Sequence, residues 1–363
     1  MRFIGFMFLC SFAFFARAEM RLDIVLEDIA QPWAVSSISE DKLLISQREG
    51  SLLLIDVSSD QAQKTIIEYI PDDLLTGGQG GILDVVPHPN YMLNNWIYIS
   101  YSAGSNKDNY LMIQKITLDI LAEQPSISAR EDVFRVADSK ETPVHYAGRL
   151  AFDNAGNLLV TSGDGFDYRE DAQRLHSHLG KVLRMSDAGA ALPDNPFYEG
   201  AQAPQSYVYS YGHRNAQGLV VLNDETIVVH EHGAAGGDEV NIIKAGVNYG
   251  WPVVTNGMDY IGSTISPFKD YPGMELPLVD WTPSIAPSSM IYYEGQKFAD
   301  LKDKFLITSL KNQRLYVLDS SFNALPDMFA DNGRRLRDIV STAAGDIFIL
   351  TDEENAVLYR LVN

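Results

Sequence analysis

Three groups of residues in this chain are of types that carry chemistry. The first is the stretch from Glu231 to Pro252, EHGAAGGDEVNIIKAGVNYGWP. Its run Gly233-Ala234-Ala235-Gly236-Gly237 is too small and too glycine-rich for a comfortable helix or central strand, so it reads as a loop over which a ligand can approach backbone. The acids Asp238 and Glu239 follow, and Tyr249 sits in the tight corner Asn248-Tyr249-Gly250-Trp251-Pro252, which leaves backbone carbonyls free. Carbonyl oxygens with carboxylates are the ligand set of a hard cation such as Ca²⁺, whereas zinc or copper asks for His or Cys at close spacing. A glycine-rich turn with solvated acids leaves the same signature, and only the other two groups separate these readings.

The second group is His145 in Val144-His145-Tyr146-Ala147-Gly148-Arg149-Leu150. An imidazole with a near-neutral pKa is a natural general base for removing a hydroxyl proton; the plain alternative is a satisfied structural histidine. The third group is cationic: Arg214 beside Asn215, then Lys311, Arg335 and Arg337. Arginine offers a fixed fork to carboxylates or an oxyanion, and asparagine orients a ligand by hydrogen bonding. The chain has 28 Lys and Arg against 48 Asp and Glu, a net charge of −20, so grouping its cations implies a compact polyanion. It has no phosphate loop of the Walker or dinucleotide type, so side chains must hold that anion; a tricarboxylate bound with Ca²⁺ fits. Of the other histidines, His88, His176 and His178 read as loop or surface residues. His230 and His232 share a strand face, but no third ligand follows at a plausible spacing, so zinc is rejected.

These groups need elements that bring them together, and the chain supplies a repeat. A phrase of apolar stretch, polar turn and alternating apolar residues recurs from Trp33, Gly80, Gly148, Gly218, Ser288 and Arg337. Each copy offers strands of four to seven residues with apolar side chains at period two, as at Leu52 and Leu54 or Ile347 and Ile349. The copies are about 50 to 70 residues apart, the scale of one four-stranded propeller blade. The sequence therefore predicts an all-β, six-bladed propeller of four-stranded antiparallel blades, with Ala172 to Leu179 as its best short helix. Gln79, His145, Arg149, Arg214, Asn215, Lys311, Arg335 and Arg337 fall at equivalent places in successive copies, as residues of a shared site at one mouth of the channel would.

Met1 to Ala18 reads as a secretory signal: Arg2, an apolar run, then Ala16-Arg17-Ala18. Its loss would remove two arginines and no acids, taking the charge from −20 to −22, and would leave 19–363 as a single propeller domain without a membrane span. Cys10 lies inside that segment, so the mature chain would have no disulfide or thiol chemistry. The acidity makes nucleic acid and anionic membrane surfaces poor partners, and the expected location is the periplasm or the exterior.

The segments GGQGGILDVVPHP, HYAGRLAF, SHLGKVLRM with DNPF, SYGHRNAQGL, EHGAAGGDEVN, NYGWP, APSSM and RRLRDI together resemble the glucose/sorbosone dehydrogenase family, soluble quinoproteins that use pyrroloquinoline quinone (PQQ), and most closely its periplasmic aldose sugar dehydrogenase branch. The resemblance covers nearly the whole mature chain. It implies oxidation of the C1 hydroxyl of aldoses to lactones, with PQQ and Ca²⁺ as cofactors. It implies His145 as base and Gln79 near cofactor and substrate. Arg214, Asn215, Lys311, Arg335 and Arg337 would contact the quinone, and Tyr260 would line the pocket. The Gly233 and Ala234 carbonyls would hold a Ca²⁺ that bridges PQQ, and Glu239 with the Tyr249 carbonyl would form a second, structural Ca²⁺ site. Two departures stand out: Ala147 where the family has a glycine, and Ala234-Ala235 where it often has Pro-Arg. The Trp251 to Trp281 loop is short, which implies a broad sugar range. Aldose sugars and an unidentified electron acceptor are the expected partners, and a monomer or weak dimer the expected state. Two rivals remain, a Ca²⁺-dependent lactonase and a non-catalytic binding module on the same fold.

Overall fold

In the computed structural model, which describes residues 20–59 and 61–363, the chain forms six four-stranded antiparallel sheets. The segment 1–18, expected to be a secretory signal, and Cys10 within it lie outside the described residues. Five sheets are consecutive runs of strands, and their innermost strands are Pro32–Ser37, Ile82–Pro87, Ala147–Phe152, Ala216–Val221 and Pro287–Tyr293, which we number blades 1 to 5. Blade 6 begins at Leu336–Ser341 and is completed by Arg21–Ala30, which pairs antiparallel with Asn355–Val362 from Arg21 opposite Val362 to Ala30 opposite Asn355. Each innermost strand packs on those of the neighbouring blades, blade 6 on blade 1 included, so the ring closes. All six repeat starts read from the sequence fall in or just before these innermost strands.

The blades pack because each inner strand buries an apolar run, and blade-to-blade layers such as Val35, Leu43, Ile45, Phe348 and Leu350 are fully or almost fully buried. Every innermost strand also has a register shift at its start, between Pro32 and Ala34, Ile82 and Val85, Ala147 and Leu150, Ala216 and Gly218, Pro287 and Ser289, and Leu336 and Asp338. A bulge re-aims the side chain it carries, and six of them turn residues into the channel.

Arg149 shows the result. From blade 3 its guanidinium lies 4.3 Å from the Trp33 ring of blade 1 and donates to the Gln217 carbonyl of blade 4 (2.8 Å) and the Ser288 carbonyl of blade 5 (2.7 Å). It also pairs with Asp338 of blade 6 at 3.1 Å and with Asp84 of blade 2 at 3.5 Å. One buried arginine thus touches all five other blades. It serves the channel itself rather than the wall of the cavity described below.

Helix is nearly absent among the described residues; the one α-helix is the turn Tyr91–Asn94. The helix expected from Ala172 to Leu179 does not form. Arg169–Gln173 is a single 3-10 turn, after which the carbonyls of Asp171, Ala172 and Leu179 are gathered by the buried ammonium of Lys181. Those local bonds outcompete the weak helical propensity of the segment. Of the three histidines read as surface residues only His176 is exposed. His88 and His178 are buried, His88 within a cluster with Trp96, Tyr98 and Phe152.

Candidate active site at the channel mouth

A cavity of about 410 Å³ opens where the inner strands begin, and Gln79, His145, Arg214, Asn215, Tyr260, Arg335 and Arg337 all line it. That volume lies within the range of small-molecule sites. Lys311 is not in its wall: its neighbour Leu310 is, and Lys311 itself is exposed.

His145 is buried, with φ of +50°, and Ala147 follows at +55° and Gly148 at +86°. A non-glycine residue in the left-handed region costs about 1–3 kcal/mol unless its surroundings enforce it. Ala147 carries that strain too. The enforcement is visible on both sides. The Gln79 side-chain oxygen accepts from the His145 N–H at 2.9 Å, and that of Asn215 accepts from the Ala147 N–H at 3.1 Å. A Cβ on Gly163 would lie 2.1 Å from the His145 carbonyl oxygen, so glycine is needed there.

His145 Nδ1 lies 2.8 Å from Asp164 Oδ1, while Asp164 Oδ2 accepts from the Trp251 indole N–H at 2.8 Å. An ionised carboxylate only accepts, so Nδ1 carries the proton and Nε2 is the nitrogen left for a ligand. Burial drives the His145 pKa below its ordinary value, helped by Arg214 and Lys140 and opposed by Asp164. Burial alone would raise Asp164, but its hydrogen bond with His145 and the charge of Arg214 hold it below the usual carboxylate range. The pair is therefore a neutral imidazole oriented by a buried carboxylate. Nothing in the sequence marked Asp164, although it follows the second strand of blade 3 directly, in Ser162-Gly163-Asp164-Gly165.

Arg214 is buried; its backbone N–H donates to Glu231, and its guanidinium donates to the Gly233 carbonyl and, at 3.2 Å, to the His232 carbonyl. It also reaches the Tyr260 hydroxyl at 3.3 Å and lies 5.3 Å from the Trp251 ring. Arg335 and Arg337 both grip Asp352, each donating two hydrogen bonds of 2.6 to 3.0 Å. Burial would raise Asp352, but the two arginines keep it below the usual range. Arg48, which the sequence reading passed over, lines the same cavity and holds the Gly78 and Gly80 carbonyls. The wall thus has four guanidiniums, at Arg48, Arg214, Arg335 and Arg337, against the one carboxylate of Asp352. An anion of several charges is the matching ligand.

The glycine-rich loop behaves as expected of a backbone-presenting loop: a Cβ on Gly233 would lie 2.1 Å from the Gly236 carbonyl oxygen. Asp238 and Glu239 separate by role, because consecutive strand residues face opposite ways. Asp238 ties the loop together, accepting from the N–H groups of Gly233, Ile285 and Ala286 and from the Ser284 hydroxyl. Glu239 instead lines a cavity of about 10 Å³ with Glu231, Gly233 and Tyr249. Burial and the charge of Glu231 push its pKa well above the ordinary range. Both Glu231 oxygens are engaged, by the His213 ring and the Arg214 N–H, so Glu239 is the carboxyl here that a Ca²⁺ would return to its ionised form. Ala234 lies in a separate cavity of about 310 Å³ beside the first, which shares Arg214 and Tyr260 with it and adds Phe166, stacked 6.5 Å from Tyr260.

The glucose/sorbosone dehydrogenase family description matches residues 29–360. An aldose sugar dehydrogenase of Escherichia coli is 31% identical over 354 residues, covering 95% of this chain and 94% of that one. The crystal structure of the soluble aldose sugar dehydrogenase of the same organism, in its apo form, superposes with a TM-score of 0.88 at 30% identity over 95% of this chain and 99% of that one. The PQQ-bound aldose sugar dehydrogenase of Streptomyces coelicolor superposes with a TM-score of 0.76 at 25% identity, over 95% and 99%. The described residues contain no helix long and apolar enough to cross a membrane. On the extent of these matches and the closed six-bladed ring, the chain belongs to the glucose/sorbosone dehydrogenase family.

Proposed function

We propose that this protein is a PQQ-dependent aldose sugar dehydrogenase that oxidises the C1 hydroxyl of a broad range of aldoses to lactones, as a single propeller domain of residues 19–363 in the periplasm or outside the cell. The observation that carries this reading is the convergence of four guanidiniums and one carboxylate on a cavity that also holds an oriented neutral histidine. PQQ is a flat tricarboxylate, and the excess cationic charge fits it. Arg337, Arg335, Arg48 and Arg214 would hold its anionic oxygens, with Asn215 and Gln79 at the rim and Tyr260 as a side wall. Lys311, outside the wall, would act through its charge from beside Leu310. When bound, PQQ supplies the two-electron acceptor for the C1 hydride.

The chain's own part is proton removal and orientation. His145 Nε2 takes the C1 hydroxyl proton, while Asp164 keeps Nδ1 protonated and stabilises the imidazolium that forms. Arg214 donates to the Gly233 carbonyl and the Tyr260 hydroxyl, and would turn from Gly233 to the anion when PQQ and Ca²⁺ are bound. The Gly233 and Ala234 carbonyls would present oxygens to one Ca²⁺, and Glu239 with the Tyr249 carbonyl to another. A lactonase needs acids and asparagines converging on a metal, and a binding module needs no oriented base; the cationic wall and the His145–Asp164 pair favour the dehydrogenase. Adding PQQ and Ca²⁺ to purified apoprotein should give aldose-dependent dye reduction, and its absence with verified uptake of both would overturn the reading.

Two outcomes follow. Because His145 works as the neutral base and its pKa is lowered, kcat should hold as pH falls below 6.5 and decline only at the lowered value; a midpoint above 6.5 in a pH–rate profile would contradict that role. Chelation of the Ca²⁺-loaded protein with EGTA should lower its melting temperature, because a metal held only by the folded state stabilises it. An unchanged melting curve after verified metal removal would exclude a structural role for Glu239.

A further inference from the structure

We propose that Lys140 is a positioning residue for His145: its buried ammonium holds the loop that presents the imidazole and keeps a positive charge beside it. This rests on the assignment of His145 as the base. Lys140 is 3% exposed, and its Nζ donates to the carbonyls of Thr142 and Val144 at 2.7 Å each and to the Asn109 side-chain oxygen at 3.1 Å. All three protons of the ammonium are thereby used. The same Nζ sits 3.5 Å from the centre of the Tyr146 ring, whose hydroxyl donates to the same Asn109 oxygen at 2.6 Å. Asn109 in turn exchanges backbone hydrogen bonds with Lys140 and adds a side-chain bond to its carbonyl. Lys140 therefore grips the residue before His145 and the residue after it.

The stem of Lys140 touches the other half of the site as well. A Cβ on Gly165 would lie 2.7 Å from Lys140 Cδ, so the residue next to Asp164 must be small for the lysine to pass. One side chain spans the segment carrying the base and the segment carrying its carboxylate. An apolar residue of similar length could fill this space without burying a charge, and burial is costly enough to pull the Lys140 pKa down to about 7. What an apolar residue lacks is the hold on two carbonyls and the charge. The groups that act on His145 are Asp164, which favours its protonation, and Arg214 and Lys140, which oppose it, with His232 also within electrostatic reach. Burial is the main cause of the lowered His145 pKa, and Arg214 and then Lys140 add to it against the pull of the carboxylate.

The test is an NMR titration of the His145 ring in apoprotein, assigned by loss of its signal in His145→Gln, compared between wild type and Lys140→Met. Removing the charge should raise the His145 midpoint by about half a pH unit or more, roughly threefold in proton affinity. A packing role alone would lower the melting temperature of Lys140→Met and leave the midpoint where it was, which would overturn the proposal. If Lys140→Met does not fold, Lys140→Gln, which keeps a donor for one carbonyl but no charge, is titrated instead and decides by the same criterion. The apoprotein readout does not involve PQQ, so a failed proposal is distinct from a failed dehydrogenase assignment, which would show as no aldose-dependent dye reduction on reconstitution, and from a failed base assignment, which would show as full activity in reconstituted His145→Ala.

Discussion

Replacing His145 with alanine should lower kcat by about 10²- to 10⁴-fold, the usual contribution of a general base, while PQQ still binds. Affinity would be spared because the guanidiniums proposed to hold the anion lie on blades 1, 4 and 6 and make their hydrogen bonds to groups other than the imidazole. The main side effect falls on Asp164. It loses the Nδ1 partner and keeps the Trp251 indole and the Phe166 N–H, so its carboxyl should become easier to protonate without a cavity opening in the core. His145→Gln, which can still donate to Asp164, should be as inactive as the alanine variant but more stable, because it returns to the buried carboxylate the side-chain donor it would otherwise lose. Reconstituted turnover within a few-fold of wild type in either variant would remove His145 from the chemistry.

Arg337→Ala should weaken PQQ binding by tens to thousands of fold. Truncating one partner of a desolvated charge pair costs about 2–5 kcal/mol, and the Arg337 side chain is only 14% exposed. Its loss would also leave the Asp352 carboxylate, now held by Arg335 alone, turned toward an anionic ligand. Arg335 is 45% exposed, so solvent screens it and Arg335→Ala should cost less, about tenfold or under. Lys64, exposed on the outermost strand of blade 1, is the control for a general loss of charge. The measurement is PQQ titration of each apoprotein followed by activity at saturating PQQ. Affinities for Arg337→Ala and Lys64→Ala that agree would mean the cofactor lies elsewhere.

The fold was legible because propeller blades repeat. Each copy begins with an apolar strand bounded by glycine, proline or an asparagine-rich turn, and alternation within the copy gives the strands that follow. The site was legible at the starts of the inner strands, where Gln79, His145, Arg214, Asn215, Arg335 and Arg337 lie. It was missed at the second strands. In an antiparallel blade the end of the second strand returns to the same mouth as the start of the first, so Arg48, Asp164 and Asp352, each just past a second strand, join the cavity or its neighbourhood beside His232. A search at that offset in every copy would have found them. Lys311 obeys the same offset, but there the backbone turns Leu310 inward instead. The pairing of His145 with Asp164 was beyond sequence reasoning for another reason: nineteen residues apart, they meet through left-handed residues at 145 and 147 that no pattern of residue types announces.

The closure of blade 6 has a kinetic side. The strand Arg21–Ala30 precedes every other described strand in the chain and pairs with Asn355–Val362, which follows them all, so its partner does not exist until the other blades have been made. Until then blade 6 cannot assemble, and the open ring exposes strand edges at both ends, the surfaces from which β proteins aggregate. Contacts more than 300 residues apart in sequence also make the closing step slow relative to the local pairing inside each blade. The growing chain therefore accumulates blades 1 to 5 as a string of independently paired sheets, and the closed ring that brings Arg335 and Arg337 up to His145 arrives in one late step.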